Sequence, residues 1–572
     1  MNSTASETDF GAIDRAAAMR PVQRWLLRLL VLAAALAFVF SSLSTGFISG
    51  KGVFWDRPAG DPGTAQIGWL YYAHDDWRWP LFAVRNYHYP EGGNVYLSDS
   101  LPLFALPAKA IYKTTGWLPT YTGFWVALCF FLQAVCASRL LLALGVRSLL
   151  PHMAGVLLFC YVPALFLRFG HMTLMAHFFI LAELEFYVRA KRAGLRSRDW
   201  YWICALPVIA ILVQPYLAAM ALLIALAIIA DRWREGALPV RAALIRVGAI
   251  ALAAVAVVVC GGFIFPHTHP HSDWGKYSFN LLSPLVPFAD TWLGRHLGTQ
   301  TPSIPEIWQW EGAAYFGAGM WFLIVCCLPF WRGAAVFAQR HRILIVGLAL
   351  AVLYAISNRV GFGDHELLRV PLPDWLVATF STLRTSGRIF WVAMYACFAA
   401  AIACVAKNYR HPVATALLVI AAVLQWIDVR PMQPERRGSS DATPPASINE
   451  ARWRELIAAH ERIFQFPSFQ CGGIYNEDIE NSIIYRELEI DLIAARLNKP
   501  TNSAYLARYT KDCAREREDA GKEMAHPGTL YLYRSSEDVG AYLAEHGQDI
   551  SRCTSLDDVV VCSASVDLAT LR

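Results

Sequence analysis

Eleven long apolar stretches, separated by short polar turns, constrain the fold of this chain more than any other feature. A helix that crosses a bilayer needs about 20 mostly apolar residues. The candidate spans lie near residues 24–45, 120–144, 150–168, 173–190, 200–214, 216–231, 246–265, 314–331, 343–357, 388–406 and 412–428. Only 17% of the 572 residues are charged, whereas soluble domains carry about 25%. The sequence therefore predicts an α-helical polytopic membrane protein with about 11 transmembrane helices.

The positions of Lys and Arg predict the orientation of these helices. Short cytoplasmic loops are enriched in both residues, and Arg15, Arg20, Arg24 and Arg28 lie before or at the start of the first span. If the spans alternate, every predicted inside connection is basic. We therefore expect the N-terminal segment, residues 1–23, in the cytoplasm, and an odd number of spans places the C-terminal part outside. The expected partner is the lipid bilayer, and no nucleic-acid partner is implied.

The polar connections divide the chain into a membrane domain, long outside loops, a linker and a small terminal domain. The predicted bounds are 24–428 for the transmembrane domain, 46–119, 266–313 and 358–387 for its outside loops, 429–448 for the linker and 449–572 for the terminal domain. In the last segment, strand-like runs at Arg462–Phe466, Thr529–Tyr533 and Asp558–Cys562 mix with helical stretches near 449–461, 482–497 and 535–546. This mixture predicts a small extracytoplasmic α/β domain.

The cysteines fall into two groups. Nine lie at or before Cys404 within apolar runs, where a buried thiol behaves as a small apolar group. The other four lie in the terminal domain, where an oxidising compartment would favour disulfides. Four cysteines allow three pairings, of which we predict Cys471–Cys513 and Cys553–Cys562. Four free thiols in a cytoplasmic domain are the alternative.

The first long loop contains two carboxylates that could carry chemistry. Pro and Gly flank Asp61 and predict a turn. A carboxylate at the membrane boundary, shielded by Trp, could have a raised pKa and act as a general base, although Asp61 could also only cap a turn. Asp99 either caps the following helix or converges with Asp61 on one substrate or a divalent cation. No ligand spacing requires a cation, so the metal site stays unknown.

Two further outside turns contain polar groups. His171 lies between two spans, and His177 follows one to two turns into the next. Each histidine could hydrogen-bond the backbone or bind a glycan or phosphate. Arg384 and Arg388 lie about one helical turn apart at the mouth of a span, so both guanidinium groups could face one anion, such as a lipid phosphate. Snorkelling towards the headgroups is the alternative.

Aromatic residues beside polar ones in the second loop suit sugar recognition, because apolar ring faces stack while hydroxyl groups take hydrogen bonds. The candidates for substrate binding are Tyr277, Asn280, Glu311 and Tyr315. Aromatic belts at a membrane interface would produce the same pattern. The chain has no phosphate-binding loop of the GxxxxGK[ST] type and no HExxH motif, which argues against an ATP-driven pump.

Several of these motifs together resemble a family of bacterial polytopic membrane proteins. The motifs are Gly60-Asp61-Pro62 with Ile67-Gly68-Trp69, Trp79-Pro80-Leu81, residues 98–103, Gly170-His171 with His177, residues 277–282, residues 311–317 and residues 384–391. The resemblance covers roughly residues 24–430. That family looks like the GT-C superfamily of membrane glycosyltransferases, which use polyprenyl-phosphate sugars and keep an acidic residue in the first extracytoplasmic loop as catalytic base.

The resemblance implies that the protein moves a sugar from a polyprenyl-phosphate donor to an extracytoplasmic glycan or protein acceptor in the cell envelope. The role of catalytic base falls to Asp61, with Asp56 as the less favoured candidate. Arg384 and Arg388 would neutralise the lipid phosphate. The protein would lie in the bacterial inner membrane with a periplasmic C-terminal domain. The alternatives are a transporter or flippase of lipid-linked glycans and a transferase similar to O-antigen polymerases or ligases.

Overall fold

In a computed structural model of the chain, a large helical domain is followed by a small α/β domain. The structure describes residues 19–263, 274–305, 307–443, 445–474, 483–508, 512–516, 526–534 and 552–563, together with 565, 566 and 568. These residues confirm the predicted fold class, a helical membrane protein with a C-terminal α/β domain.

The first half of the helical domain contains long helices joined by short turns. Its helices are α1 (Pro21–Ser42), α2 (Thr45–Ser49), α3 (Gly60–His74), α4 (Pro102–Thr115), α5 (Thr122–Ala143), α6 (Leu149–Cys160), α7 (Pro163–Leu167), α8 (Phe178–Arg192), α9 (Ser197–Ile211), α10 (Pro215–Arg234) and α11 (Val240–Gly261). Proline occupies the first turn of α1, α4, α7 and α10. Backbone N–H groups in the first turn make no hydrogen bond within the helix, so the lack of an N–H in proline costs nothing there.

The second half contains further spans and shorter helices. They are α12 (Trp292–Leu297), α13 (Ala318–Cys327), α14 (Ala334–Arg340), α15 (Arg342–Ile356), α16 (Asp374–Phe380), α17 (Phe390–Asn408), α18 (His411–Val429) and α19 (Met432–Ser440). Short 3₁₀ turns lie at Val53–Trp55, Met172–Met175, Gln309–Gly312, Leu328–Gly333, Ser381–Leu383, Ser386–Ile389 and Phe469–Cys471. Two small hairpins pair β1 (Ala83–Val84) with β2 (Gly93–Asn94) and β3 (Arg359–Phe362) with β4 (His365–Arg369).

A helix lies at each of the eleven predicted spans. Within the described residues, eight helices or helix pairs are long and apolar enough to cross a membrane. The other three, α8, α9 and α15, have 15 residues each. The count of eleven and the orientation of the spans stay predictions.

The helical domain buries aromatic and small residues between its central helices and leaves apolar side chains on its outer ones. Trp125 and Phe130 of α5 are buried in its main core. On the outer helix α11, by contrast, Leu244, Leu252 and Val255 are exposed. Such a large exposed apolar surface is unfavourable in water. It is what a helix facing lipid requires.

The C-terminal domain is built on a four-stranded sheet. Its strands are β5 (Arg462–Phe466), β6 (Thr529–Arg534), β7 (Cys553–Leu556) and β8 (Val559–Ser563), in the order β5-β6-β8-β7. Strand β5 runs parallel to β6, and the other pairs are antiparallel. Helices α20 (Glu450–Ala458) and α21 (Ile483–Arg496) accompany the sheet. The predicted strands and two of the predicted helices are thus confirmed, whereas the helix expected near 535–546 lies outside the described residues.

Both predicted disulfides are confirmed. Cys471 is bonded to Cys513, and Cys553 is bonded to Cys562. The second pair lies directly opposite in the β7–β8 hairpin. The nine cysteines of the helical domain are free.

The segment that follows α21 attaches the C-terminal domain to the first long loop. The backbone N–H of Thr501 donates to Asn86 O over 3.0 Å, and Tyr89 N–H donates to Thr501 O over 2.7 Å. Farther along, Ala507 N–H donates to Leu97 O over 2.8 Å. Backbone hydrogen bonds therefore hold residues 501–507 beside the loop that contains Asp61 and Asp99.

Candidate active site

Asp61 lies in the first turn of α3 and pairs with a histidine from a distant loop. Its Oδ2 is 2.6 Å from Nδ1 of His171, and the two side chains are 26% and 25% exposed. Tyr505 of the C-terminal domain adds a side-chain hydrogen bond to Asp61. Burial disfavours the carboxylate, but the charge and hydrogen bond of His171 outweigh it and lower the pKa of Asp61. Asp61 is therefore ionised at neutral pH and remains partly open to solvent.

His171 is held in its charged form by carboxylates on both sides of its ring. Its Nε2 is 3.4 Å from Oε1 of Glu311, opposite the nitrogen that contacts Asp61. Burial alone would lower the pKa of His171, but Asp61 and then Glu311 raise it to about 9. A doubly protonated ring can donate to both carboxylates at once, so His171 links the two acidic residues.

Glu311 is the buried centre of the site. Its Oε2 accepts hydrogen bonds from Nη1 of Arg168 over 2.6 Å and from Nη2 of Arg388 over 2.5 Å. Burial opposes ionisation, but the charges of Arg388 and Arg168 hold the pKa of Glu311 well below its ordinary value. The Arg168 side chain is only 1% exposed. Buried charges persist only when they are paired in this way.

Two glycines allow the loops of Glu311 and Arg388 to meet. A Cβ added to Gly312 would lie 2.6 Å from Cα of Gly387, and one added to Gly387 would lie 2.8 Å from Cα of Gly312. No real side chain tolerates such distances. The glycine in each motif therefore lets two backbones touch and places the adjacent charged residues within hydrogen-bond distance.

Asp99 approaches the same centre from the other end of the first loop. Gly68 of α3 packs against this turn, since a Cβ there would lie 2.0 Å from Ser98 Oγ. The side chain of Asp99 has a hydrogen bond with Thr173. Burial raises the pKa of Asp99 to about 6, which His171 opposes and the charge of Asp61 reinforces. The two carboxylates expected to converge thus lie close enough to influence each other.

Asp56 has a different environment. It is exposed, and its described hydrogen bonds are made by the backbone: its N–H donates to Val53 O over 3.1 Å, and its carbonyl accepts from Nη2 of Arg496 over 2.6 Å. Asp61, five residues later, contacts His171 instead. Of the two candidate bases, Asp61 is the one that joins the charged network.

The two arginines expected to face one anion have different described contacts, and their binding of a lipid phosphate stays a prediction. Arg388 is bound to Glu311, and its guanidinium group lies 5.2 Å from the ring centre of Tyr216. Arg384 lies 5.7 Å from the ring centre of Tyr277. Residues 386–389 form a 3₁₀ turn and Arg384 precedes it, so the spacing of four residues does not correspond to one turn of an α-helix.

Three other predicted substrate ligands use their polar groups inside the protein. His177 is fully buried, and its Nδ1 is 2.9 Å from the hydroxyl group of Tyr395. The Asn280 amide donates to Gln309 and Gly363. Tyr315 donates to Asp428 over 2.8 Å. These contacts support the loops around the site, and direct contact with substrate stays a prediction for these residues.

Arg168 and Tyr505 belong to the site but were not identified as such from the sequence. Arg168 lies three residues before His171, at the end of an apolar stretch, where a buried arginine signals a functional pairing. Tyr505 had no local signal, because it lies in the other domain and reaches Asp61 only through tertiary packing. Sequence reasoning could therefore have found the first but not the second.

The described residues contain one group of possible metal ligands close enough to share an ion, formed by Cys471, Cys513 and Glu516. The two sulfur atoms are joined in a disulfide, which removes the thiolates that would bind a metal. The Asp61 carboxylate is engaged by His171. A divalent cation at Asp61 and Asp99 would have to compete with the protonated imidazole of His171.

Comparisons with known proteins give a family and distant structural similarity. The family model described as "Domain of unknown function (DUF6311)" matches residues 31–430, and the model described as "DUF6311 C-terminal domain" matches residues 452–564. Among curated proteins, no sequence matches the chain. Among solved structures, the chain is similar to the oligosaccharyltransferase of Archaeoglobus fulgidus tethered to an acceptor peptide with the NVT sequon. The identity is 12%, the TM-score is 0.43, and the match covers 88% of this chain and 68% of that one.

Proposed function

This chain belongs to the DUF6311 family, and we propose that it is a membrane glycosyltransferase of the GT-C type. It moves a sugar from a polyprenyl-phosphate donor to an acceptor hydroxyl or amide group outside the cytoplasm. The acceptor is a cell-envelope glycan or a protein. The site lies in the loops that connect the spans, and the C-terminal domain is on the same side, which we place in the periplasm.

The observation that supports this proposal is the ionised, partly open Asp61 at the end of a buried chain of charges. His171 and Glu311 follow Asp61 in that chain, and Arg168 and Arg388 close it. Such a network fixes the carboxylate oxygens in position and keeps them deprotonated. Perturbed ionisable groups of this kind cluster at functional sites.

In the proposed reaction, Asp61 acts as the general base. The acceptor oxygen or nitrogen attacks the anomeric carbon and gives its proton to the Asp61 carboxylate. The bond between the anomeric carbon and the phosphate oxygen breaks, and its electron pair leaves with the lipid phosphate. His171, protonated at neutral pH, orients Asp61 through the 2.6 Å contact. Asp99, whose pKa is about 6, can exchange a proton near neutral pH beside it.

The test uses the full chain in nanodiscs with a panel of polyprenyl-phosphate sugars and measures loss of sugar from the donor. Asp61→Asn should reduce turnover by about 10²–10⁴-fold, the usual contribution of a positioned base. Asp56→Asn changes an exposed carboxylate of the same loop and serves as the matched control, with activity near wild type. Near-normal turnover in Asp61→Asn would assign the base elsewhere. Donor that binds wild type but is never consumed would favour the transporter.

A further inference from the structure

A cavity of about 410 Å³ lies at the C-terminal end of α18. Three parts of the chain enclose it, namely α12, the end of α18 and the residues that lead into α19. The residues that line the cavity are Trp292, Trp426, Ile427, Arg430, Pro431 and Pro434. Arg430 is the only charged residue among these six, so the cavity combines an apolar lining with one positive charge.

The guanidinium group of Arg430 lies against an aromatic ring rather than a carboxylate. It is 4.8 Å from the ring centre of Trp426, and the described residues place no carboxylate in contact with it. Arg295 of α12, by contrast, is 3.6 Å from Glu435. Arg430 is exposed, so its charge is available to a ligand that enters the cavity.

The apolar lining continues along one face of α18. Ile420, Val423 and Ile427 are 45%, 48% and 41% exposed, and their spacing of three and four residues places them on the same side of the helix. Ile427 also lines the cavity. Helix α18 is long and apolar enough to cross a membrane. A hydrocarbon chain that packs along this face would therefore bring its polar end to Arg430.

A buried carboxylate fixes the two walls of the cavity. Oδ1 of Asp428 accepts from the backbone N–H of Leu293 over 3.1 Å, and its Oδ2 accepts from the Tyr315 hydroxyl group over 2.8 Å. Leu293 directly follows Trp292, and Asp428 lies two residues before Arg430. The tryptophan and the arginine are thus held in place without a ligand, as is usual for a binding site.

We propose that this cavity binds an anionic phospholipid of the bilayer. The phosphate pairs with Arg430, whose guanidinium group can donate two parallel hydrogen bonds to it. The acyl chain packs against Ile420, Val423 and Ile427. Trp292 and Trp426 border the region between phosphate and chain, which is where Trp is enriched in membrane proteins. A glycan fits less well, because its hydroxyl groups would meet a mostly apolar lining.

The experiment measures binding of phosphatidylglycerol to the purified full chain by native mass spectrometry. Arg430→Gln should weaken binding about tenfold, as expected for the loss of a charge-assisted contact. Arg295→Gln is the matched control, because it removes the same charge from the same region but from a residue that does not line the cavity. It should bind like wild type. Phosphatidylcholine with the same acyl chains should bind wild type less tightly, because its headgroup carries no net charge.

Wild-type affinity in Arg430→Gln, or an equal loss in Arg295→Gln, would overturn the site. Diacylglycerol that binds as tightly would refute the role of the phosphate, and glycerol phosphate that binds as tightly would refute the role of the chain. A soluble oligosaccharide that displaces the lipid would assign the cavity to a glycan instead.

A second measurement needs no variant and therefore holds even if Arg430→Gln does not fold. Phosphatidylglycerol with a photoreactive diazirine in its acyl chain is irradiated with the wild-type chain, and the crosslinked peptides are identified by mass spectrometry. Crosslinks should fall on residues 420–427 of α18. Crosslinks that avoid this helix would refute the proposed path of the chain.

Discussion

Replacement of Glu311 by Gln removes the carboxylate that the buried Arg168 and Arg388 both contact. The side chains of Arg168, Arg388 and Glu311 are 1%, 9% and 9% exposed. At 4 Å and an effective dielectric of about 20, one such pair interacts by about 4 kcal/mol. Removing one partner of a buried pair costs about 3–5 kcal/mol, because the other charge stays buried without compensation. We therefore expect Glu311→Gln to lower the free energy of unfolding by at least about 3 kcal/mol.

The matched control is Glu366→Gln in the β3–β4 hairpin. Glu366 also contacts two arginines, Arg359 over 2.6 Å and Arg369 over 2.8 Å, but its side chain is 22% exposed and Arg369 is 62% exposed. Pairs in contact with water contribute about 0–1 kcal/mol. Both variants thus remove a carboxylate that contacts two arginines. Glu311 also contacts His171, and the two sites differ in burial.

The assay follows denaturant unfolding in detergent by tryptophan fluorescence for wild type, Glu311→Gln, Glu366→Gln, Arg168→Gln and Arg168→Gln/Glu311→Gln. The double variant leaves one buried guanidinium group without its carboxylate rather than two, so its loss should be smaller than the sum of the losses in Arg168→Gln and Glu311→Gln. If Glu311→Gln and Glu366→Gln lost the same stability, within about 0.5 kcal/mol, the buried charge network would not be the stabilising element described here.

Two more outcomes follow from the same contacts. Tyr505→Phe removes one hydrogen bond to Asp61 and should lower donor turnover about tenfold, the value of one such bond. Its thermal unfolding should be unchanged. Unchanged turnover would show that Tyr505 has no part in the site. The pKa of His171 is raised to about 9, so its contribution to stability is complete below its ordinary value of 6.5 and is lost as pH rises through about 9. Unfolding measured from pH 6 to 10 should therefore show wild type losing its advantage over His171→Gln across that window, and a constant difference would contradict the assignment.

The helical fold and the disulfides could be predicted because each depends on local or compositional signals. Apolar stretches of sufficient length define helices regardless of their neighbours, and all eleven stretches contain one. The pairing of Cys553 with Cys562 follows from a hairpin that brings the two together. The loop residues were harder, because no periodic pattern determines where a loop side chain points.

His171 and His177 illustrate that limit. They are six residues apart in one connection, and each was expected near the substrate. The 3₁₀ turn at Met172–Met175 separates them, so that His171 contacts Asp61 while His177 packs against Trp391 in the interior. A related limit applies to Arg384 and Arg388, whose spacing was taken as one α-helical turn. Residues 386–389 form a 3₁₀ turn instead, which has about three residues per turn and does not align positions four apart.

The opposite pKa shifts of Asp61 and Asp99 are the strongest physical argument for separate roles. Both carboxylates lie near His171, yet only Asp61 has it as a direct partner, at 2.6 Å. Its pKa is lowered, whereas burial and the charge of Asp61 raise that of Asp99 to about 6. Neighbouring acidic groups whose pKa values are pushed apart can hold different protonation states at one pH. Near neutral pH, Asp61 is thus fixed as the anion, and Asp99 is the group able to gain or lose a proton beside it.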